Sequence, residues 1–219
     1  MEKHSVLIIG GGLAGLRAAI ELNGEKNKGK IDCAILCKTY PNLAHSTQAQ
    51  GGINAAISLA DNWKDHAYDT CYGGDFLNDQ NAVETLCSDG KRTIEELVGF
   101  GVNFNKTKEG NVAQRAFGAQ RFNRTCFAAD RTGHALLHTV YKKAIELGVK
   151  IYNEFQAIKI VTNKDNEKKV VGIIAIDLSS GELKFIGANA VVVATGGAGR
   201  VYGKTTNPDN TGDGIAMAY

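Results

Sequence analysis

The residues best suited to chemistry lie in one short loop, Ala44-His45-Ser46-Thr47-Gln48-Ala49-Gln50-Gly51-Gly52. It sets one nucleophilic imidazole among small and amide side chains, with little for the ring to pack against and no acidic neighbour in sequence. A second pattern lies upstream. Gly10, Gly12 and Gly15 fit G-x-G-x-x-G, with Gly11, Leu13 and Ala14 between them. The apolar run Val6-Leu7-Ile8-Ile9 precedes it, and Leu13, Leu16, Ala19, Ile20 and Leu22 follow at helical spacing. In that setting the first glycine permits a tight turn and the second lets a pyrophosphate reach the backbone. The third lets helix pack on strand, and the helix N-terminus supplies N–H donors. Glycine turns are common, so it is the strand and helix around the motif that point to a dinucleotide. If the turn holds a pyrophosphate, His45 stands about where a flavin ring would lie. The expected chemistry is then covalent attachment of FAD to His45.

Other residues leave alternatives open. Cys37-Lys38 stands where an acid usually follows the second strand to hold a ribose hydroxyl. That departure counts against ordinary NAD binding. Lys38 could contact a ribose or phosphate oxygen, or be a solvated loop residue. Ala194-Thr195-Gly196-Gly197-Ala198-Gly199 brings glycines to the carboxyl end of another apolar strand, where ligands gather in open α/β sheets. Asp213, in Thr211-Gly212-Asp213-Gly214, could bond a cofactor or serve as a plain helix cap. His134 and His138 are four apart and could ligate a metal, but the glutamate of H-E-x-x-H is absent and no third ligand stands out. Helix packing or capping is the alternative, and no metal site is expected. Arg115, Arg121, Arg124 and Arg131 could attract an anionic substrate or cofactor phosphate, or form an interdomain salt-bridge network. His4 and His66 read as surface residues.

The elements that must position these groups follow from periodicity. A first strand at Val6–Ile9, a helix and a second strand at Ile31–Cys37 make a βαβ start, separated by a polar loop over Asn23–Lys30. Residues 42–60 read as a glycine- and glutamine-rich loop merging into Ile53–Ile57. A helix is expected over 80–100 through Val83, Leu86, Ile94, Leu97 and Val98, and another over Ala135–Leu147, stopped at Gly148. Strands follow at Ile151–Phe155, Ile158–Thr162, Val170–Leu178 and Leu183–Ile186, with a hairpin turn at Ser179-Ser180-Gly181 and a separate apolar strand at Ala190–Thr195. The fold expected is α/β: a Rossmann-like FAD-binding domain with a parallel sheet and a small antiparallel β insertion.

Composition excludes several classes. At 219 residues the chain can bury a full core. Its 25 Lys and Arg against 23 Asp and Glu leave +2, too little for binding led by nucleic acid or anionic lipid. Five cysteines without a C-x-x-C pair argue against a disulfide framework, zinc ribbon or iron–sulfur cluster, and for reduced, mostly buried thiols. No apolar run has the length of a membrane span or a signal-peptide core, so direct insertion is not expected. The last helix pattern runs barely one turn to Tyr219, which reads as a truncated chain.

Together these motifs resemble the flavoprotein subunit family of succinate dehydrogenase and fumarate reductase. The resemblance is carried by Ile9 to Ala19 around the glycines and by His45-Ser46-x-x-Ala49-Gln50-Gly51-Gly52-Ile53. Further on it is carried by Tyr68-Asp69-Thr70, Gln114-Arg115-Ala116-Phe117-Gly118, Ala129 to Thr139, Ala194 to Arg200 and Thr211 to Gly214. These span the whole chain in the family's order. The resemblance implies that Gly10, Gly11, Gly12, Leu13, Ala14 and Gly15 cradle the FAD pyrophosphate. Cys37, Lys38 and the loop residues Ala44, His45, Ser46, Thr47, Ala49, Gln50, Gly51 and Gly52 would wrap the ribityl chain and flavin. Asp213 would be a cofactor ligand, and Ala157, Ala194, Thr195 and Gly196 would contact the adenine half through the backbone. His45 would carry the 8α-histidyl bond. It implies succinate–fumarate interconversion by hydride transfer to or from a dicarboxylate, and electron passage to an iron–sulfur subunit with a possible membrane anchor subunit. The location implied is cytoplasmic, peripheral on the inner face of the membrane through those partners. Residues 1–219 would be the N-terminal part of the FAD domain. The family's substrate-binding residues and capping domain would lie beyond Tyr219, so no catalytic residue is assigned and a fragment alone would be inactive. At Gly118-Ala119-Gln120 the chain departs from the family, which usually has a second glycine there.

Three rival readings remain. L-aspartate oxidase shares the glycine motif, Gln50-Gly51-Gly52 and Thr-Gly-Asp-Gly, but usually lacks the histidine and holds FAD noncovalently. A non-catalytic FAD-binding module is the second. The third, a nicotinamide-dependent dehydrogenase, is disfavoured by Lys38 and by the loop around His45.

Overall fold

The structure is a computed structural model that describes residues 2–27 and 29–219. Met1 lies outside it, as does Lys28 in the polar loop expected over Asn23–Lys30. The chain forms two compact units, one of residues 1–46 with 140–219, the other of residues 47–139.

The first unit opens with β1 (Lys3–Ile9), α1 (Leu13–Asn23) and β2 (Cys33–Leu36). Every residue of β2 is buried, as a parallel strand covered on both faces must be. The chain then supplies the second unit: β3 (Ile53–Asn54), α2 (Trp63–Gly73), α3 (Gln80–Phe100), β4 (Gln114–Arg115) and β5 (Thr125–Cys126). Helix α4 (Thr132–Glu146) ends in the first unit, which continues with β6 (Lys150–Tyr152), β7 (Phe155–Asn163), β8 (Asn166–Asp177), β9 (Leu183–Val193) and α5 (Asp213–Ala218).

The six-stranded sheet of the first unit runs β6-β2-β1-β9-β8-β7. Its β6, β2, β1 and β9 are parallel, and β8 and β7 continue it antiparallel. The expected antiparallel insertion is therefore part of the main sheet. The expected strands at Leu183–Ile186 and Ala190–Thr195 are one strand, β9. Its first half pairs with β8 up to Gly172↔Gly187, and its second half pairs with β1 from Lys3↔Gly187 to Ile9↔Val193. Small Gly187 at the changeover breaks the apolar pattern, and so one strand read as two. Leu7, Ile9, Ala34, Leu36, Ile173, Ala175 and Ile186 form the core on one side of this sheet.

His4 is buried at 6% exposure, contrary to a surface reading. Its Nδ1 pairs with Asp32 Oδ2 and its Nε2 with the Tyr152 hydroxyl, both at 2.7 Å. The hairpin turn at 179–181 is held by Asp177, whose Oδ1 accepts from Ser179 N at 3.0 Å.

In the second unit, α3 buries Val83, Cys87, Gly90 and Ile94 and leaves Leu86 and Val98 exposed. Asp79 caps its start, and Gly101, at φ +102°, ends it. Helix α2 was not anticipated, because Lys64, Asp65 and Asp69 break its apolar stripe. Its cap is plain, with Asn62 Oδ1 accepting from Lys64 N and Asp65 N at 3.0 Å each. Among the described residues no helix is long and apolar enough to cross a membrane.

Candidate functional site

The first unit holds a cleft of about 960 Å³ at the carboxyl ends of β1, β2 and β9. Gly10 to Ala14 form its floor, Cys37 to Pro41 and Leu43 to Ser46 one wall, and Val193 to Gly197 with Pro208 to Thr211 another. A smaller pocket of about 90 Å³ adjoins the strand ends, lined by Leu36, Lys38, Ala157, Thr195 and Asp213 among others.

The glycines act as their spacing implies. Gly10 sits at φ +116°, and a Cβ there would overlap the Ala194 carbonyl. One at Gly15 would overlap the Gly10 carbonyl, so it is the helix–strand approach that requires this third glycine, and Gly15 packs rather than lining the cleft. Gly12 is different. A Cβ there would meet only Ser46 Oγ, at 3.6 Å, and would otherwise project into space a ligand can fill. Gly12 is also the N-cap of α1, with no side-chain capping bond and no acid in the first turn, which leaves helix N–H groups open to an anion. These features fit a pyrophosphate.

His45 lies in the wall formed by Leu43 to Ser46, opening a single-turn helix over His45–Gln48. Its Nδ1 is buried without a hydrogen-bond partner. An unpaired imidazole nitrogen at the wall of an open cleft is a cost unless a ligand or reaction uses it. Cys37 lines the same cleft beneath Gly11, and burial pushes its thiol up to about 12, so it is an uncharged wall rather than a nucleophile.

Lys38 is neither free in solvent nor available as a bare cation. Its Nζ donates to Asp213 Oδ2 at 2.9 Å and to Thr211 Oγ1 at 2.8 Å. Asp213 is not a plain cap, since the N-cap of α5 is Gly212 and the carboxylate goes to Lys38. Burial raises the Asp213 carboxyl, but the bonds from Lys38 and Thr211 outweigh it and hold the group below the usual aspartate value.

Thr47, Ala49, Gln50, Gly51 and Gly52 belong to the second unit and do not line the cleft. There the Ala49 carbonyl accepts from Gly133 N at 2.7 Å, and Arg115 Nη2 donates to the carbonyls of Gly51 at 2.6 Å and Gln50 at 3.3 Å. The arginines are thus largely structural. Arg124 is fully buried and bonded through two nitrogens to Asp61 at 2.9 and 3.0 Å, with Asp69 at 2.9 Å. Arg121 pairs with Asp65 and Asp69, and only Arg131 is far out in solvent, at 80% exposure. The ion pairs lie within one unit rather than between domains. His66, read as a surface residue, is 5% exposed. Burial and the nearby Arg124 charge lower its pKa against the opposing pull of Asp61 and Asp69. His134 and His138 are both exposed on α4 with ring centroids 4.0 Å apart, so packing does not explain them. Among the described residues no group of three metal-binding side chains includes them.

Pattern reading missed the wall residues Thr39, Tyr40, Pro41 and Pro208 to Asn210. The one available signal was their position next to motifs, at Lys38 and at Thr211.

Residues 5–219 match the FAD binding domain family. The chain is 39% identical over 227 residues to the succinate dehydrogenase flavoprotein subunit of Coxiella burnetii, covering 99% of this chain and 38% of that one. It is 40% identical over 219 residues to the fumarate reductase flavoprotein subunit of Mycobacterium tuberculosis, covering 99% and 37%. Among solved structures it is similar to a variant of Escherichia coli quinol fumarate reductase FrdA, with TM-score 0.91 and 35% identity over 100% of this chain and 37% of that one. The chain therefore spans under two-fifths of the length of these relatives. With its glycine turn, open helix terminus and strand-end cleft, the chain belongs to the FAD binding domain family.

Proposed function

We propose that residues 1–219 are the N-terminal part of the FAD domain of a flavoprotein that interconverts succinate and fumarate, with FAD joined covalently to His45. The observation that carries this reading is the cleft itself. It is lined both by a glycine turn with unclaimed helix N–H groups and by a histidine whose buried Nδ1 has no partner. Similarity to flavoprotein subunits named for both directions of that reaction supports the substrate pair.

Gly10 to Ala14 would hold the pyrophosphate, Asp213 and Ala157 with Ala194 to Gly196 the adenosine half, and Ala44 to Ser46 the flavin end. When bound, the flavin supplies the hydride acceptor or donor. The chain's own part is to fix it, to keep Cys37 neutral beside it and to anchor it through His45. No catalytic acid or base is assigned within these residues. Electrons would pass to an iron–sulfur subunit, and a membrane anchor subunit would hold the assembly to the cytoplasmic face of a membrane.

The test is in-gel flavin fluorescence of the full-length protein after denaturation, followed by peptide mapping. A fluorescent band whose flavin maps to His45, and is lost in His45→Ala, supports the reading. Flavin released on denaturation rejects the covalent bond and favours a noncovalent relative such as an L-aspartate oxidase.

A further inference from the structure

In a dinucleotide-binding unit the residue ending the second strand is ordinarily an acid that reads a ribose diol. Here that place belongs to Lys38, of opposite charge. A free lysine there would favour a ribose bearing a 2′-phosphate. Lys38 is not free, since its Nζ bonds Asp213 at 2.9 Å and Thr211 at 2.8 Å. The carboxylate it holds borders the small pocket beside Ala157 and Thr195.

The pair adds little stability for its own sake. Lys38 is 38% exposed and Asp213 29%, and ion pairs so open to water contribute weakly. Its geometry, however, is firmly set. Helix α5 presses on the end of β9 so closely that a Cβ at Gly214 would overlap the Thr195 hydroxyl and reach Val193 Cγ1 at 2.5 Å. A carboxylate has about four acceptor positions, and Lys38 and Thr211 occupy only part of them.

We propose that Lys38 is a positioning residue, which presents the Asp213 carboxylate so that the acid reading the ribose diol of an adenosine comes from α5 instead of β2. This rests on the FAD reading above. The site then accepts an unmodified ribose and rejects a 2′-phosphorylated one, the reverse of what Lys38 alone would select.

The test is calorimetric titration of the full chain with ADP-ribose, 2′-phospho-ADP-ribose and FMN. The wild type is expected to bind ADP-ribose at least about tenfold more tightly than its 2′-phosphorylated form. Lys38→Met and Asp213→Asn should each weaken ADP-ribose about tenfold, and the double variant little further, because the two act as one unit. Lys38→Arg should keep affinity within about threefold, and FMN, which lacks the adenosine half, should bind every variant alike. A wild-type preference for the 2′-phosphate overturns the inference. So does unchanged ADP-ribose affinity in Lys38→Met, or FMN affinity falling in step, which would mark a general loss of structure. If the wild type takes up FAD while Lys38→Met is unaffected, this inference alone falls. A wild type that takes up neither FAD nor ADP-ribose overturns the cofactor reading and this inference with it.

Discussion

Two buried histidines in this chain are kept for opposite reasons. His4 has both ring nitrogens satisfied, by Asp32 and Tyr152. His66 has a buried Nδ1 with no partner and stands beside the Arg124 guanidinium. Burial and that charge favour its neutral form, so its folded pKa lies below the unfolded value. The sign follows directly. Below about pH 6.5 the unfolded chain takes up a proton that the folded one refuses, and stability falls as pH drops, by up to about 1.4 kcal/mol per pH unit. The loss stops once pH falls through the folded pKa. His66→Gln should therefore flatten the fall in denaturant midpoint between pH 7 and 5. An unchanged slope would place that acid sensitivity elsewhere.

At the level of elements, the β1–α1 turn separates stability from binding within three residues. Gly15→Ala drives a methyl into the Gly10 carbonyl and should cost about 1–3 kcal/mol. Gly12→Ala points its methyl into the cleft. It should cost about 1 kcal/mol or less, the usual loss at an N-cap, yet weaken FAD binding at least about tenfold. Thermal melts and FAD titrations of the two variants check the contrast; parallel losses in both would show that the turn does not line the cofactor site. This turn was legible because three glycines carry three distinct local duties, each visible in spacing. Helix α3 was legible from its apolar stripe. Helix α2 was not, because charged Lys64 breaks its stripe and Asp65 and Asp69 serve a polar network with Arg121 and Arg124 that only the fold brings together. The same holds for Lys38 and Asp213, far apart in sequence, each readable alone as a ligand, and joined only by a bond that the fold creates. Arg121 and Arg124 were ambiguous for a related reason, since the aspartates that neutralise them lie fifty or more residues upstream.

On the scale of the whole molecule, a net charge of +2 supplies little long-range attraction for an anionic cofactor. Affinity for the cofactor must therefore come from the cleft. Its occupancy should show as stability. FAD at a hundred times its dissociation constant raises unfolding free energy by about 2.7 kcal/mol, so the melting midpoint of the chain should climb with FAD concentration. A midpoint indifferent to FAD would deny this chain a preformed site. The strand β9 adds a consequence in time. Its first half zips onto β8, a neighbour in sequence, but its second half must find β1, far upstream in sequence. Contacts of such long range form slowly. During synthesis, β1 and its glycine turn wait with one edge bare until Ala190–Val193 emerges. The cleft draws its floor from the glycine turn and a wall from Val193 to Gly197 and Pro208 to Thr211, so cofactor loading has to wait for that later segment rather than follow directly on the turn.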